Sequence, residues 1–387
     1  MILLIILLSP LIHTFASMKE YPFTMKLASW LIIAVLGTVI LIYTKDFLLP
    51  VVIAGLISML LYPVYKKLKR WKLPNALSVI ITMMIVFVLL ITLISLVSKE
   101  LTSMMADAGG LSGKINSKFN ALQTYVAGHF ETEGTINNFI ANAKNKLLDY
   151  TGVLVSGTIA GTTNIMSTLV LIIVYIFCFL FYNRAFKTFA FALLADESQS
   201  QASGLIHDIQ KLVQNYLVGL LMVITIIGTL NSVGLLIIGI DHPIFFAFLG
   251  AMLTVIPYIG ITMGALITAL YALVTKDTVF PAVAVMVVMF SIQILESNLI
   301  TPRIVGSRVS VNPFVAIVAL LIGGQIWGIP GMIVAVPLVA ILKVIFDLYP
   351  STQALGYFIG NELTDKTNDP KTHFHPIQTN QEDKPEA

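Results

Sequence analysis

The chain has 387 residues, of which 57% are hydrophobic and only 11% charged, whereas soluble domains carry about a quarter charged residues. The net charge of +3 is small and comes largely from one loop, which excludes a nucleic-acid-binding surface or a groove for acidic substrates. The single cysteine, Cys178, sits in an apolar run, so disulfides and a cysteine-based metal site are excluded as well.

Met1–Ser17 contains the apolar stretch Ile2–Leu8 without a basic leader, and Pro10 interrupts it. It is a poor signal peptide, and residues 1–17 read as a start-site extension ahead of Met18. Residues 18–98 then hold three membrane helices. Leu27–Tyr43 and Phe47–Tyr62 are separated only by Thr44, Lys45 and Asp46, as in a tight hairpin. Lys66, Lys67, Lys69, Arg70 and Lys72 follow with no acid among them, which predicts a cytoplasmic loop by the positive-inside rule. Ala76–Val97 runs outward from it.

Residues 99–150 are a charge-balanced insertion, with five lysines against five acids. Ile115, Phe119, Leu122 and Val126, then Ile136, Phe139, Ile140, Ala143 and Leu147, recur at helical spacing, predicting an extracytoplasmic pair of amphipathic helices. Residues 151–182 form a fourth span. Residues 183–211 contain a cytoplasmic amphipathic helix whose apolar face includes Leu205, Ile206 and Ile209, continuing toward Val213. Leu217–Ile240 crosses outward.

Residues 212–348 are expected to be the transport core. Phe245–Leu273 and Phe314–Leu342 are each ~30 residues, too long at 1.5 Å per residue for one upright crossing of a ~30 Å hydrocarbon layer. Breakers lie at the middle of each: Pro257, Tyr258, Ile259 and Gly260 in the first, Gly323 to Gly331 in the second. Two layouts follow, both all-α with about eight hydrophobic segments. Six spans plus two broken re-entrant hairpins put Arg303 and Arg308 inside with Lys343, and this layout is favoured over eight plain spans, which put the arginines outside. Both place the two termini in the cytoplasm. The hairpins begin alike, at His242-Pro243 and Asn312-Pro313, and each follows a span bearing an asparagine, Asn231 and Asn298. An inverted repeat of roughly 212–275 against 279–343 is the pattern in which transport sites form at the repeat interface. Residues 349–387 read as a cytoplasmic tail, disordered over its polar part.

Glu296 is the one carboxylate in its apolar helix, and an intramembrane acid is costly unless it works. It reads either as a proton or cation carrier or as the ion-pair partner of Arg303 or Arg308. Gln293, Glu296, Ser297 and Thr301 share an α-helical face, which either lines a cavity or bonds two helices together; Asn231 carries the same pair of readings. Pro257, Gly260, Gly324, Gly328, Pro330 and Gly331 mark helix breaks whose free backbone groups can bind ions or serve as hinges, and Tyr258 and Gln325 add polar groups there. No zinc-protease, nucleotide-loop, dinucleotide or nucleophile-elbow pattern occurs, so neither catalysis nor ATP-driven transport is expected, nor any cofactor or metal.

Pro257-Tyr258-Ile259-Gly260, the run Glu296 to Gly306, Asn312-Pro313, Gly323-Gly324, Trp327 to Gly331 and Ala335-Val336-Pro337 together resemble the C-terminal signature of the autoinducer-2 exporter family. The resemblance covers about residues 20–348. It implies a secondary transporter of the bacterial inner membrane that exports a small polar solute such as autoinducer-2, with sodium/proton antiport as the alternative. The partners implied are the lipid bilayer, the solute, and a proton or sodium ion, and homo-oligomer formation is compatible with it. From outside transport, a membrane scaffold built around residues 99–150 is the competing reading.

Overall fold

The computed structural model describes residues 22–106, 167–193, 199–256, 259–304, 311–349 and 352–360, with a few positions between 113 and 145. The expectations for residues 1–17, for most of the 99–150 insertion, for the start of the fourth span and for the tail after 360 lie outside them, as do Pro257, Tyr258 and Arg308. Every regular element among the described residues is helical. In chain order these are α1 (Phe23–Tyr43), α2 (Lys45–Arg70), α3 (Asn75–Ala106), α4 (Ser167–Phe181), α5 (Asn183–Leu193), α6 (Gln199–Ile238), α7 (Pro243–Leu253), α8 (Ile259–Thr275) and α9 (Phe280–Leu295). A π-helical turn (Glu296–Ile300), α10 (Thr301–Ile304), α11 (Pro313–Leu348) and α12 (Gln353–Ile359) complete the described chain.

The distribution of side chains is that of a protein solvated by lipid. Leu31, Val35 and Leu36 on α1 and Val88, Leu89 and Ile91 on α3 all face outward, an apolar surface far beyond the patches soluble monomers expose. Buried positions are instead dominated by small residues, among them Ala54, Ala247, Ala251, Ala265, Ala272 and Ala340. Without a hydrophobic drive between helices in lipid, close backbone approach at small residues supplies the packing. Five described helices are long and apolar enough to cross a membrane, or six if α4 and α5, bent by 71° to each other, count as one.

Long α6 organises the core. At 40 residues it spans ~60 Å, so its amphipathic first half and the following span are one uninterrupted rod, and the boundary expected at 211/212 falls inside it. Leu205, Ile209 and Val213 on that first half are buried against Leu56 of α2 and Val334, Ile341 and Ile345 of α11. Farther along, α6 packs on α7 and α9.

Both long apolar segments fold back. In the first, α7 ends at Leu253, α8 starts at Ile259, and the two pack side by side; a Cβ built on Gly264 would lie 2.8 Å from the Gly250 Cα. In the second, α11 is two helices that meet at Gly328, whose φ 65°, ψ −147° is not helical. The chain reverses there: Gly323 lies against both Gly331 and Ala335, residues that a straight helix would hold ~12 and ~18 Å away. Its length is therefore not that of a single crossing. Asn312 starts α11 by accepting hydrogen bonds from Phe314 N (2.8 Å) and Val315 N (3.4 Å), with Pro313 at the first helical position.

Candidate functional site

The α6–α9 interface holds the polar groups that the lipid-facing surface lacks. Ile292 on α9, Ile300 in the π turn and Ile304 on α10 pack against Val223 and Ile227 of α6 and Ala251 of α7, while Gly234 of α6 meets Val288. The two helices are thus antiparallel. Glu296 occupies the same i+4 row as Ile292 and Ile300 and is half-buried. Its carboxylate accepts hydrogen bonds from Gln293 Nε2 on one oxygen and from Thr301 Oγ1 on the other.

The π turn makes that arrangement. In an α-helix, residues five apart point in different directions; the wider turn brings Thr301 beneath Glu296. Its cause is local: Ser297 Oγ (3.3 Å) and Asn298 Nδ2 (2.7 Å) both donate to the Ile294 carbonyl, and such side-chain donors compete with the backbone ladder. Ser297 and Asn298 are consequently exposed, so the face expected from α-helical spacing keeps Gln293, Glu296 and Thr301 and loses Ser297. π turns inside helices concentrate at functional sites.

Arg303 is exposed and makes no ion pair with Glu296 among the described residues. Both donors to the carboxylate are neutral side chains. Across the interface, Asn231 of α6 is 4% exposed and its Oδ1 has no hydrogen-bond donor among the described residues. An orphaned buried acceptor costs about 1–3 kcal/mol, and it leaves an oxygen lone pair free for a cation or a polar solute.

The other expected residues are at the hairpins. Gly260 is buried at the start of α8, where a Cβ would collide with the Leu253 carbonyl. Gly324 faces Met332 and Gly331 faces Gly323 and Trp327; Gln325 and Gly328 are exposed and Pro330 half-buried. This second hairpin packs on α1, α2, α6 and α12 and shares no extended contact with α9 among the described residues. The expected residues are therefore two groups joined through α6. No set of three histidine, cysteine, aspartate or glutamate side chains able to hold a metal occurs among the described residues.

Sequence reasoning missed the tertiary polar links. His242 Nδ1 lies 2.5 Å from Glu100 Oε2, tying the α6–α7 turn to α3, and Trp327 Nε1 donates to the Leu41 carbonyl at 2.9 Å. Partners this distant leave no local spacing signal.

Comparison with known proteins agrees with this architecture. "Putative transport protein YrrI" of Bacillus subtilis is 27% identical over 318 residues, covering 78% of this chain and 86% of the relative. "AI-2 transport protein TqsA" of Escherichia coli K12 is 21% identical over 338 residues, covering 85% and 95% respectively. The family described as AI-2E family transporter matches residues 31–351, and with that match over most of its length this membrane protein belongs to the AI-2E transporter family.

Proposed function

We propose that this chain is a secondary transporter that exports a small polar solute such as autoinducer-2 across the bacterial inner membrane, with Glu296 as the charge that couples flux to an ion gradient. The observation that carries the reading is the Glu296 carboxylate, set in an apolar helix at a π turn, bonded by Gln293 and Thr301 and without a cationic partner among the described residues. The name of the Escherichia coli relative, AI-2 transport protein TqsA, supports the solute. The basic run from Lys66 to Lys72 supports cytoplasmic termini.

Sodium/proton antiport is the second reading, favoured by Asn231 Oδ1, which has no donor among the described residues and adds a neutral oxygen ligand of the kind a hard cation takes. Purified protein in liposomes, under imposed proton or sodium gradients with and without the solute, separates the two. Solute efflux that follows either gradient supports export; sodium–proton exchange at full rate without solute supports antiport. In either case Glu296→Gln should drop gradient-driven flux to background while Tm stays near wild type, since the amide keeps hydrogen-bonding capacity and loses only the titratable charge. Normal flux in a well-folded Glu296→Gln protein would remove Glu296 from the mechanism.

A further inference from the structure

A second polar site lies away from the α6–α9 interface, in a cavity of about 90 Å³ between α2, α4, α5 and α6; on the same measure one water needs ~10–15 Å³. Lys187 of α5 enters it, its ammonium 3.0 Å from the Tyr62 hydroxyl and 4.7 Å from the centre of the Tyr62 ring. No acid pairs with Lys187 among the described residues.

The hydrogen-bond inventory of the lining leaves donors to spare. Asn183 spends its amide on Leu180 O and Tyr65 Oη, and Ser58 donates to Gly55 O. Tyr65 is likewise committed, donating to Asn75 Oδ1 at 2.5 Å. Tyr62, by contrast, accepts from Lys187 and keeps its own O–H, the ammonium keeps two N–H groups, and the Gln210 amide bonds to nothing among the described residues. Spare donors around one uncompensated cation suit an anion.

The walls and surroundings name its carrier. Met59, Phe179, Phe186 and Ile206 line the same cavity, apolar surface that a free anion would not use. Helix α5 turns 71° away from α4; Tyr182 at the bend and Phe189 on α5 are exposed beside Arg184, the aromatic and basic pattern of a helix lying at a membrane interface. Lys66, Lys67, Lys69 and Arg70 extend from the same end of α2. Basic pockets between membrane helices at that depth bind anionic headgroups. We infer that this cavity is a binding site for the phosphate of an anionic phospholipid headgroup, held by Lys187, Tyr62 and Gln210.

The test uses the full chain purified in detergent, with Tm measured after adding phosphatidylglycerol, phosphatidylcholine or inorganic phosphate. Phosphatidylglycerol should raise Tm by about 3 °C or more, and the other two should not. Lys187→Gln and Tyr62→Phe should each lose most of that shift, whereas Lys67→Gln in the exposed basic run should keep it. Because the readout is the shift on adding lipid, a lowered starting Tm in either variant leaves it interpretable. An equal shift with phosphatidylcholine, or a full phosphatidylglycerol shift retained in both cavity variants, would overturn the site. A shift given by inorganic phosphate alone would overturn the lipid and leave a free-anion site.

Discussion

The two fold-back segments begin with similar dipeptides and reach similar shapes by different physics. His242 precedes the first in a left-handed conformation at φ 57° and offers no side-chain cap to α7; its ring is spent on Glu100. Asn312 precedes the second in an extended conformation, caps α11 with its Oδ1, and ties it to α12 through Nδ2 to Phe358 O at 3.1 Å. The first segment passes from α7, which ends at Leu253, through the turn residues 254–256 toward a separate helix α8, whereas the second reverses at one glycine where two helices meet. A break spread over several residues distributes its strain; a single-residue reversal concentrates it. Common to both is glycine packed on backbone just beside the turn, and that shared element should be the more fragile one.

Alanine at Gly331 or Gly264 should therefore be strongly damaging. The new Cβ meets backbone in both cases, the Gly323 carbonyl for Gly331 and the Gly250 Cα for Gly264, and backbone in a packed pair cannot rotate away. Each substitution should cost about 3 kcal/mol or more, at the upper end for overpacking, seen as a large fall in Tm or loss of folded protein. Gly37→Ala in α1 is the control, since a Cβ there meets nothing within 4 Å and better helix propensity should leave Tm level or slightly raised. Equal tolerance at all three positions would mean that neither segment is folded back.

Alanine at Gly328 separates conformational strain from crowding. Nothing lies within 4 Å of a Cβ there, so its whole effect comes from the backbone angles φ 65°, ψ −147°, a region reserved almost wholly for glycine. The expected cost is about 1–3 kcal/mol, smaller than at Gly331 only a few residues away. A larger loss at Gly328 than at Gly331 would reverse the ranking and make the turn, rather than the packing, the element that holds this hairpin.

Much of this fold was legible because hydropathy and backbone breakers are local signals. Pro257–Gly260 and Gly323–Gly331 were visible as interruptions; α7 ends at Leu253 and α8 starts at Ile259, and α11 reverses at Gly328. Glu296 and Gln293 were legible as a polar row for the same reason. The π turn was not: periodicity assumes a constant rise and turn, so Ser297 was placed on the row that it leaves, and only competition for the Ile294 carbonyl explains the change. Tertiary pairs were illegible altogether. Tyr62 and Lys187 are 125 residues apart, and Glu100 and His242 are 142 apart; which of many polar residues meet depends on how helices pack.

The last difference between the hairpins is how the tip of the second is anchored. Trp327, next to the Gly328 reversal, donates its indole N–H to the Leu41 carbonyl in the last turn of α1, where carbonyls lack an intrahelical donor. It also packs against the cluster around Val334 and Ile341, so phenylalanine keeps part of the apolar contact and removes the hydrogen bond. Polar links between membrane helices average ~0.6 kcal/mol, and a carbonyl left without its donor adds to that, so Trp327→Phe should cost about 1 kcal/mol. A thermal melt in detergent should show this as a Tm lowered by a few degrees, less than for Gly328→Ala. If the indole instead positions the hairpin tip for transport, flux in liposomes should fall further than the small loss of stability explains. Unchanged flux with the lowered Tm assigns the bond to packing alone, and an unchanged Tm would show that α1 does not hold the tip.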